Sequence, residues 1–242
     1  MGAIARRRHG LRQILLAVAA IQLYEALRRL LHPDWAAALA NARRIEALER
    51  AAHLAWEQSL QAAVLGRPHL VQAANLFYFA GHFLLTSLFF LWLYRRSPAG
   101  FRLWRDTFLA ATAIALLVHW TFPTAPPRLA GIGVLDTLHR YSGIDIGSAG
   151  AIGFYNPVAA VPSLHAAYAI GVGIGLVQFS RSRPLRTAAF VYPIAVLWTI
   201  VVTGNHFVFD AAAGAAVLGL GFALARAKRA ILRPATRGGA VR

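Results

Sequence analysis

The sequence predicts an all-α, polytopic membrane protein built as a bundle of six transmembrane helices. Two observations carry that prediction. Of its 242 residues, 58% are hydrophobic and 14% charged, whereas a soluble domain averages about a quarter charged. The apolar residues also come in long blocks with arginines set between them, which is the membrane pattern. The same composition excludes other classes. The chain is too apolar to be disordered. Its formal net charge of +16 sits between apolar blocks, so a nucleic-acid partner is not expected. With no cysteine, a disulfide scaffold, a thiolate metal site and a Cys nucleophile are all excluded. The length suits one integral membrane domain, 1–242,.

Crossing the hydrocarbon core takes about 20 predominantly apolar residues. Six runs qualify, at about 13–31, 71–94, 106–122, 162–180, 187–203 and 207–225. The first carries Glu25, Arg28 and Arg29 at its far end. Arg6-Arg7-Arg8 followed by Ala17-Val18-Ala19 could pass for a cleaved signal peptide,. The apolar run continues through Ile21, Leu23 and Tyr24, however, so it reads as a span. Arg6 stands where a myristoylation motif needs Ser or Thr,.

Arginine placement sets the orientation. The N-terminus, the 95–105 and 181–186 loops and the basic tail at 226–242 share one side and hold 17 of the 25 positive residues. The other side holds six: Arg43, Arg44, Arg50, Arg67, Arg128 and Arg140. Positive-inside then puts both termini in the cytoplasm of a multi-pass protein of the cell membrane. Two stretches fall outside. Residues 34–65 read as a surface helix at the interface, where Leu39, Ile45 and Leu48 alternate with Arg43, Glu46, Glu49 and Arg50,. A connector packed over the bundle explains it as well as a binding role does. Residues 123–161 are long, rich in Gly and Pro and poor in charge, and loops of that length are usually functional.

Polar groups at membrane depth are candidates for function, and three clusters lie at the outer ends of spans. Phe122-Pro123-Thr124-Ala125-Pro126-Pro127-Arg128 leaves span three, Pro162-Ser163-Leu164-His165 opens span four, and Gly204-Asn205-His206-Phe207-Val208-Phe209-Asp210 opens span six. His206 and Asp210 are four apart and share a helix face. A carboxylate there can hold one ring nitrogen as N–H and leave the other as a lone pair, although a structural hydrogen bond at a helix start explains the pair equally well. Ser163 is a plausible N-cap, and such a terminus binds phosphate readily. Arg128 alone would be a snorkelling cation. Together the clusters give two histidines, a carboxylate, an arginine and a helix terminus on one face. No metal-ligand spacing is present, so the set suits phosphoryl transfer without a metal or other cofactor.

The Pro-Ser-x-His and His-x-x-x-Asp motifs, in this order, resemble those of the type 2 phosphatidic acid phosphatase superfamily, whose site is shared with the vanadium haloperoxidases. The Phe-Pro-Thr-Ala-Pro-Pro-Arg and Gly-Asn-His-Phe segments are more similar to its branch containing the inositol phosphorylceramide synthases. The resemblance covers 75–225 and implies a six-helix bundle with an outward-facing, metal-free site. It implies His206 as nucleophile, Asp210 as its orienting carboxylate and His165 as general acid and base. Arg128, Ser163 and Asn205 would bind substrate. The chain departs from the family pattern at Thr121 and Ile200, where that pattern has a Lys and an Arg. His82, His139 and Arg140 are candidate replacements beside Asn205. On span two, Asn75, Tyr78 and His82 form a polar stripe that either touches substrate or bonds between helices.

The expected activity is hydrolysis of a lipid phosphate or pyrophosphate through a phosphohistidine. The alternative is transfer of a phosphoryl head group to or from an inositol or other polyol. A membrane scaffold or transporter is disfavoured, because the polar residues gather at one face. A Ser–His protease is disfavoured by the lack of a Gly-x-Ser-x-Gly turn.

Overall fold

The computed structural model of the protein describes residues 34–144 and 156–232. The first predicted span, at 13–31, and residues 233–242 of the tail lie outside the described residues. Within them the chain is helical, with no strand and one isolated parallel bridge between Thr124 and Ala159.

Local sequence sets where the helices start. Helix α1 (Trp35–Ala51) begins where the Asp34 carboxylate accepts the Ala37 N–H at 2.9 Å, a side-chain N-cap. After α2 (Glu57–Leu65), α3 runs from Pro68 to Arg96 with one wide π turn at Phe77–Gly81. Helix α4 (Pro98–Thr121) opens on Ser97-Pro98. The Ser97 hydroxyl accepts the Gly100 N–H at 3.0 Å, and Pro98 occupies the first turn, where its missing N–H costs nothing,. A short 3₁₀ turn (Pro127–Leu129) leads to α5 (Thr137–Ser142), which Asp136 caps through the His139 N–H. The last three helices are α6 (Leu164–Phe179), α7 (Arg183–Val202) and α8 (Val208–Ile231).

Each predicted span from the second to the sixth lies on a helix. The largest displacement is in α4, which starts well before the predicted 106. Its Ser-Pro start signal prevails over the charges of its first turns, and Asp106 is held by the Lys228 ammonium at 3.0 Å and by Arg105. Among the described residues, α3, α7 and α8 are long and apolar enough to cross a membrane. Helix α6 is apolar but has 16 residues, about 24 Å of rise against a core of about 30 Å.

Helix α8 lies along α4 and α6, and α6 lies along α7. Small residues permit the close approach, as at membrane helix contacts generally. A Cβ on Gly214 would sit on the carbonyl oxygen of Ser163, and one on Gly221 would lie 2.6 Å from that of Thr107. Tyr78, Phe89, Trp104, Phe108, Val196 and Ile200 fill the interior together with buried polar groups such as Asn75, His82 and Asp210. Large apolar side chains face outward, among them Leu76, Phe83, Phe190, Ile194 and Leu224, an arrangement that suits lipid.

The 34–65 stretch is two helices, and α1 does not stand free. Ala38, Ala42 and Ile45 bury against Ala125, Val158, Val161 and Phe207, and the Asn41 amide donates to the Pro123 carbonyl at 2.8 Å. The described parts of 123–161 are tied together, with the Thr124 N–H on the Val158 carbonyl and the Ala160 N–H on that of Thr124.

Gly214→Ala should therefore cost about 1–3 kcal/mol through overpacking at Ser163. Gly219→Ala, whose Cβ meets nothing, should be neutral or stabilising. Thermal unfolding of both variants in detergent checks the difference.

Candidate active site

The site is assembled at the junction of α7 and α8. Gly204 adopts a φ of +72°, a left-handed conformation that glycine adopts without steric cost. In the turn it makes, the N–H groups of Asn205 and His206 both reach back to the Ile200 carbonyl, at 3.1 and 3.0 Å. The two side chains then point into the protein, where both are buried.

His206 Nδ1 lies 3.0 Å from the Ala160 carbonyl and 3.1 Å from Asp210 Oδ2. Both neighbours are acceptors, so Nδ1 carries the proton and Nε2 the lone pair; these partners assign the tautomer, in place of a seen hydrogen. Asp210 Oδ2 also accepts the Phe207 N–H at 2.9 Å, and its backbone carbonyl accepts the Ser163 N–H at 3.0 Å. One residue thus orients the histidine and joins α8 to the start of α6.

His165 sits one residue into α6, its ring centroid 5.8 Å from that of His206. Tyr78 stacks on it at 4.4 Å and 17°. The ring also donates to the Tyr78 backbone carbonyl. Its Nε2 is buried with no hydrogen-bond partner among the described residues, so that bond uses Nδ1. The His82 ring lies 4.8 Å from His165 on the side of the Tyr192 hydroxyl, which approaches His82 Nδ1 at 2.8 Å. Ser163 caps α6 by accepting the Ala166 N–H at 3.3 Å.

Arg128 enters from the 3₁₀ turn. Its backbone N–H binds the Gly204 carbonyl, its Nε donates to Asn205 Oδ1 at 3.0 Å, and its Nη1 pairs with the Asp136 carboxylate. The guanidinium is thereby fixed against the same turn that carries His206. Among the described residues no group of three or more His, Cys, Asp or Glu could hold a metal ion.

A buried histidine with its distal nitrogen free, an orienting carboxylate, a second histidine within one ring's width and a fixed guanidinium are what histidine-mediated attack on phosphorus requires. The profile of the PAP2 superfamily matches residues 43–224. The chain belongs to the PAP2 superfamily. No curated protein and no solved structure matches it. Membership points to phosphatase or phosphotransferase activity on phosphate esters, the superfamily being generally of phosphatase type.

Not every predicted residue gathers here. The PAP2 profile spans Thr121 and Ile200, but Thr121 is exposed and bonds the Leu117 carbonyl, while Ile200 is fully buried in the apolar core. His139 and Arg140 lie exposed on α5. The span-two stripe divides in two. Tyr78 and His82 meet His165, whereas Asn75 fastens α3 to α5 through the Thr137 carbonyl at 2.7 Å and the Ser142 hydroxyl at 2.8 Å. Sequence reasoning did not mark Asp136, which holds Arg128, nor Glu49 and Glu57, which accept backbone N–H groups of α8. For Asp136 a signal existed, since Asp preceding Thr-Leu-His reads as a helix cap.

Arg128→Lys replaces a fork that reaches Asn205 and Asp136 at once with a point charge,. Turnover of a phosphate ester should fall by about 10- to 1000-fold, as when one transition-state donor is lost. Near wild-type kcat/KM would leave Arg128 a purely structural residue.

Proposed function

We propose that the protein is a metal-independent phosphohydrolase acting on a lipid phosphate or pyrophosphate through a phosphohistidine. The observation that carries this reading is His206, buried, with Nδ1 held by Asp210 and Ala160 and its Nε2 lone pair left for reaction. In the first half-reaction Nε2 attacks phosphorus and the bond to the lipid oxygen breaks. His165, entering as the imidazolium, gives its Nε2 proton to the departing alkoxide and keeps the Nδ1 proton on the Tyr78 carbonyl. Asp210 stabilises the positive ring formed on attack, and Arg128 meets the phosphoryl oxygens. In the second half, water attacks phosphorus, the P–N bond breaks, and His165 takes the water's proton. Free phosphate leaves and both rings return to their starting forms.

The bundle in this reading has six spans, with both termini in the cytoplasm, the site on the outer face of the cell membrane, and the lipid headgroup as partner. The 17-to-6 division of positive charge supports that orientation,.

A second reading is supported by the charge count at the phosphate end of the site. Among the described residues the guanidinium placed there is that of Arg128, which pairs with Asp136, and this fits a singly charged phosphodiester better than a pyrophosphate. His206 would then carry a phosphoryl head group, released to an inositol or other polyol hydroxyl in place of water. That is the chemistry of the inositol phosphorylceramide synthase-like branch.

Each role has its own kinetic mark. His206→Ala should abolish turnover and any acid-labile phosphoenzyme. His165→Ala should still be phosphorylated by a substrate with a good leaving group, and label should accumulate. Activity should persist in EDTA and fall in vanadate. Label on His165, or a divalent ion needed to restore activity after EDTA, would remove this mechanism. Free phosphate as product marks the hydrolase, and a new phosphodiester formed with polyol marks the transferase.

Orientation is open to a direct test because the chain has no native cysteine. A single Cys at the exposed Arg140 should react with an impermeant maleimide in intact cells. Labelling only after permeabilisation would reverse the topology.

A further inference from the structure

The first turn of α8 is held by carboxyl groups from three places. The Phe207 N–H goes to Asp210 at 2.9 Å, the Val208 N–H to Glu57 Oε1 at 2.9 Å, and the Phe209 N–H to Glu49 Oε1 at 2.6 Å. Three successive amides of one helix start thus each find a different acid. Glu49 and Glu57 are 2% and 4% exposed, although both lie in helices outside the predicted spans. A helix start needs acceptors for such amides, but a neutral Ser or Asn would serve. Two further acids beside Asp210 carry an electrostatic cost that capping alone does not explain.

Resting on the phosphoryl-transfer reading, we propose that Glu49 and Glu57 are positioning residues for the reaction. Their carboxyl groups clamp the first turn of α8 to α1 and α2, and this fixes where His206 meets the substrate. His206 lies two residues before the first clamped amide and shares Asp210 with the same turn, so a slack first turn moves both reacting partners. A displacement of about 1 Å is enough to cost two orders of magnitude in rate.

The surroundings of Glu49 set when the clamp can fail. The charged groups facing it are Glu57 from α2 and Asp210 from α8. On α1 itself, Arg43 and Arg44 are exposed and Arg50 pairs with Glu46. The turn before α5 brings Arg128, which is engaged by Asp136 and Asn205. Burial pushes the Glu49 carboxyl up to about 8, with Glu57 and Asp210 pushing the same way against the Phe209 N–H. The folded value lies above the ordinary one. The stabilising proton is therefore present at low pH and is lost as pH rises through about 8,. Above that, a negative charge appears on Glu49 beside the Glu57 and Asp210 carboxyl groups and opposes the clamp.

The test is amide hydrogen exchange of peptides covering 204–211, corrected for intrinsic rates, together with turnover, in the purified full-length protein. Wild-type protection should collapse between about pH 7 and pH 9.5, and kcat should fall over the same range with KM unchanged within about twofold. In Glu49→Gln, which keeps the acceptor and cannot ionise, protection and kcat should both persist to the alkaline end. Glu49→Ala should lose protection at every pH and about 10- to 100-fold in kcat. Should Glu49→Ala fail to fold, the wild-type profile and Glu49→Gln carry the test unaided. Protection indifferent to pH in wild type, or an alkaline loss in Glu49→Gln equal to wild type, overturns the clamp. His206→Ala separates the two readings. Full turnover without His206 defeats the phosphoryl-transfer reading whatever the exchange shows. An inactive His206→Ala beside exchange that ignores residue 49 defeats the clamp alone.

Discussion

Asp210 is the residue on which the rest of the site depends. Its Oδ2 accepts from His206 Nδ1 and from the Phe207 N–H, and its carbonyl accepts the Ser163 N–H. The first bond fixes a tautomer, the second a helix start, and the third the height of α6 against α8. Because Ser163 caps α6 and His165 occupies its first turn, the spacing of the two histidines is set through this one side chain and its backbone. The carbonyl contact works only because Gly214, one turn further along α8, leaves room for Ser163. Between membrane helices lipid offers little hydrophobic drive, so packing of small residues and polar bonds carry the association.

The same arrangement decides which helix can serve an anion. The positive end of α8 faces Asp210, Glu57 and Glu49 and is therefore spent on carboxyl groups,. The start of α6 is capped by the neutral Ser163. It remains the helix end suited to phosphate, and Arg128 comes in from the 3₁₀ turn, its backbone N–H on the Gly204 carbonyl. The three acids are thus turned toward the start of α8, while a neutral hydroxyl caps the start of α6.

Much of this was legible in the sequence, for reasons that can be named. Apolar runs located the helices, because burial in lipid leaves a composition signature that needs no tertiary knowledge. His206 and Asp210 were legible as a pair because i,i+4 spacing survives folding unchanged. Ser163 and Asp136 both precede helices in the way caps do. The illegible part depended on distance in sequence. Glu49 looked like one more charge on a surface helix, and nothing local says that it reaches Phe209, 160 residues away. The Asn75, Tyr78, His82 stripe was legible as bonding between helices, but not in which partner each residue meets. It assumed α-helical periodicity, whereas the π turn at Phe77–Gly81 inserts a residue and rotates the C-terminal part of α3 by about 100°,. Asn75 is left facing α5, while His82 is brought to His165.

That wide turn also explains how His165 is held. His165 is fixed by α3 in two ways, by the stacked Tyr78 ring and by the Tyr78 carbonyl, and π turns are concentrated at functional sites because they reorient backbone and side chain together. Behind it the polar chain continues through His82 to Tyr192 and Thr86, with hydroxyl contacts of 2.8 and 3.3 Å. The hydroxyl partners in this buried network come from α3 and α7, while His82 Nε2 has no hydrogen-bond partner among the described residues. His206 is thus set by α8, His165 by α3 and α6, and the Arg128 guanidinium by the turn before α5. No single helix carries these residues, so the geometry of the site is the geometry of the bundle.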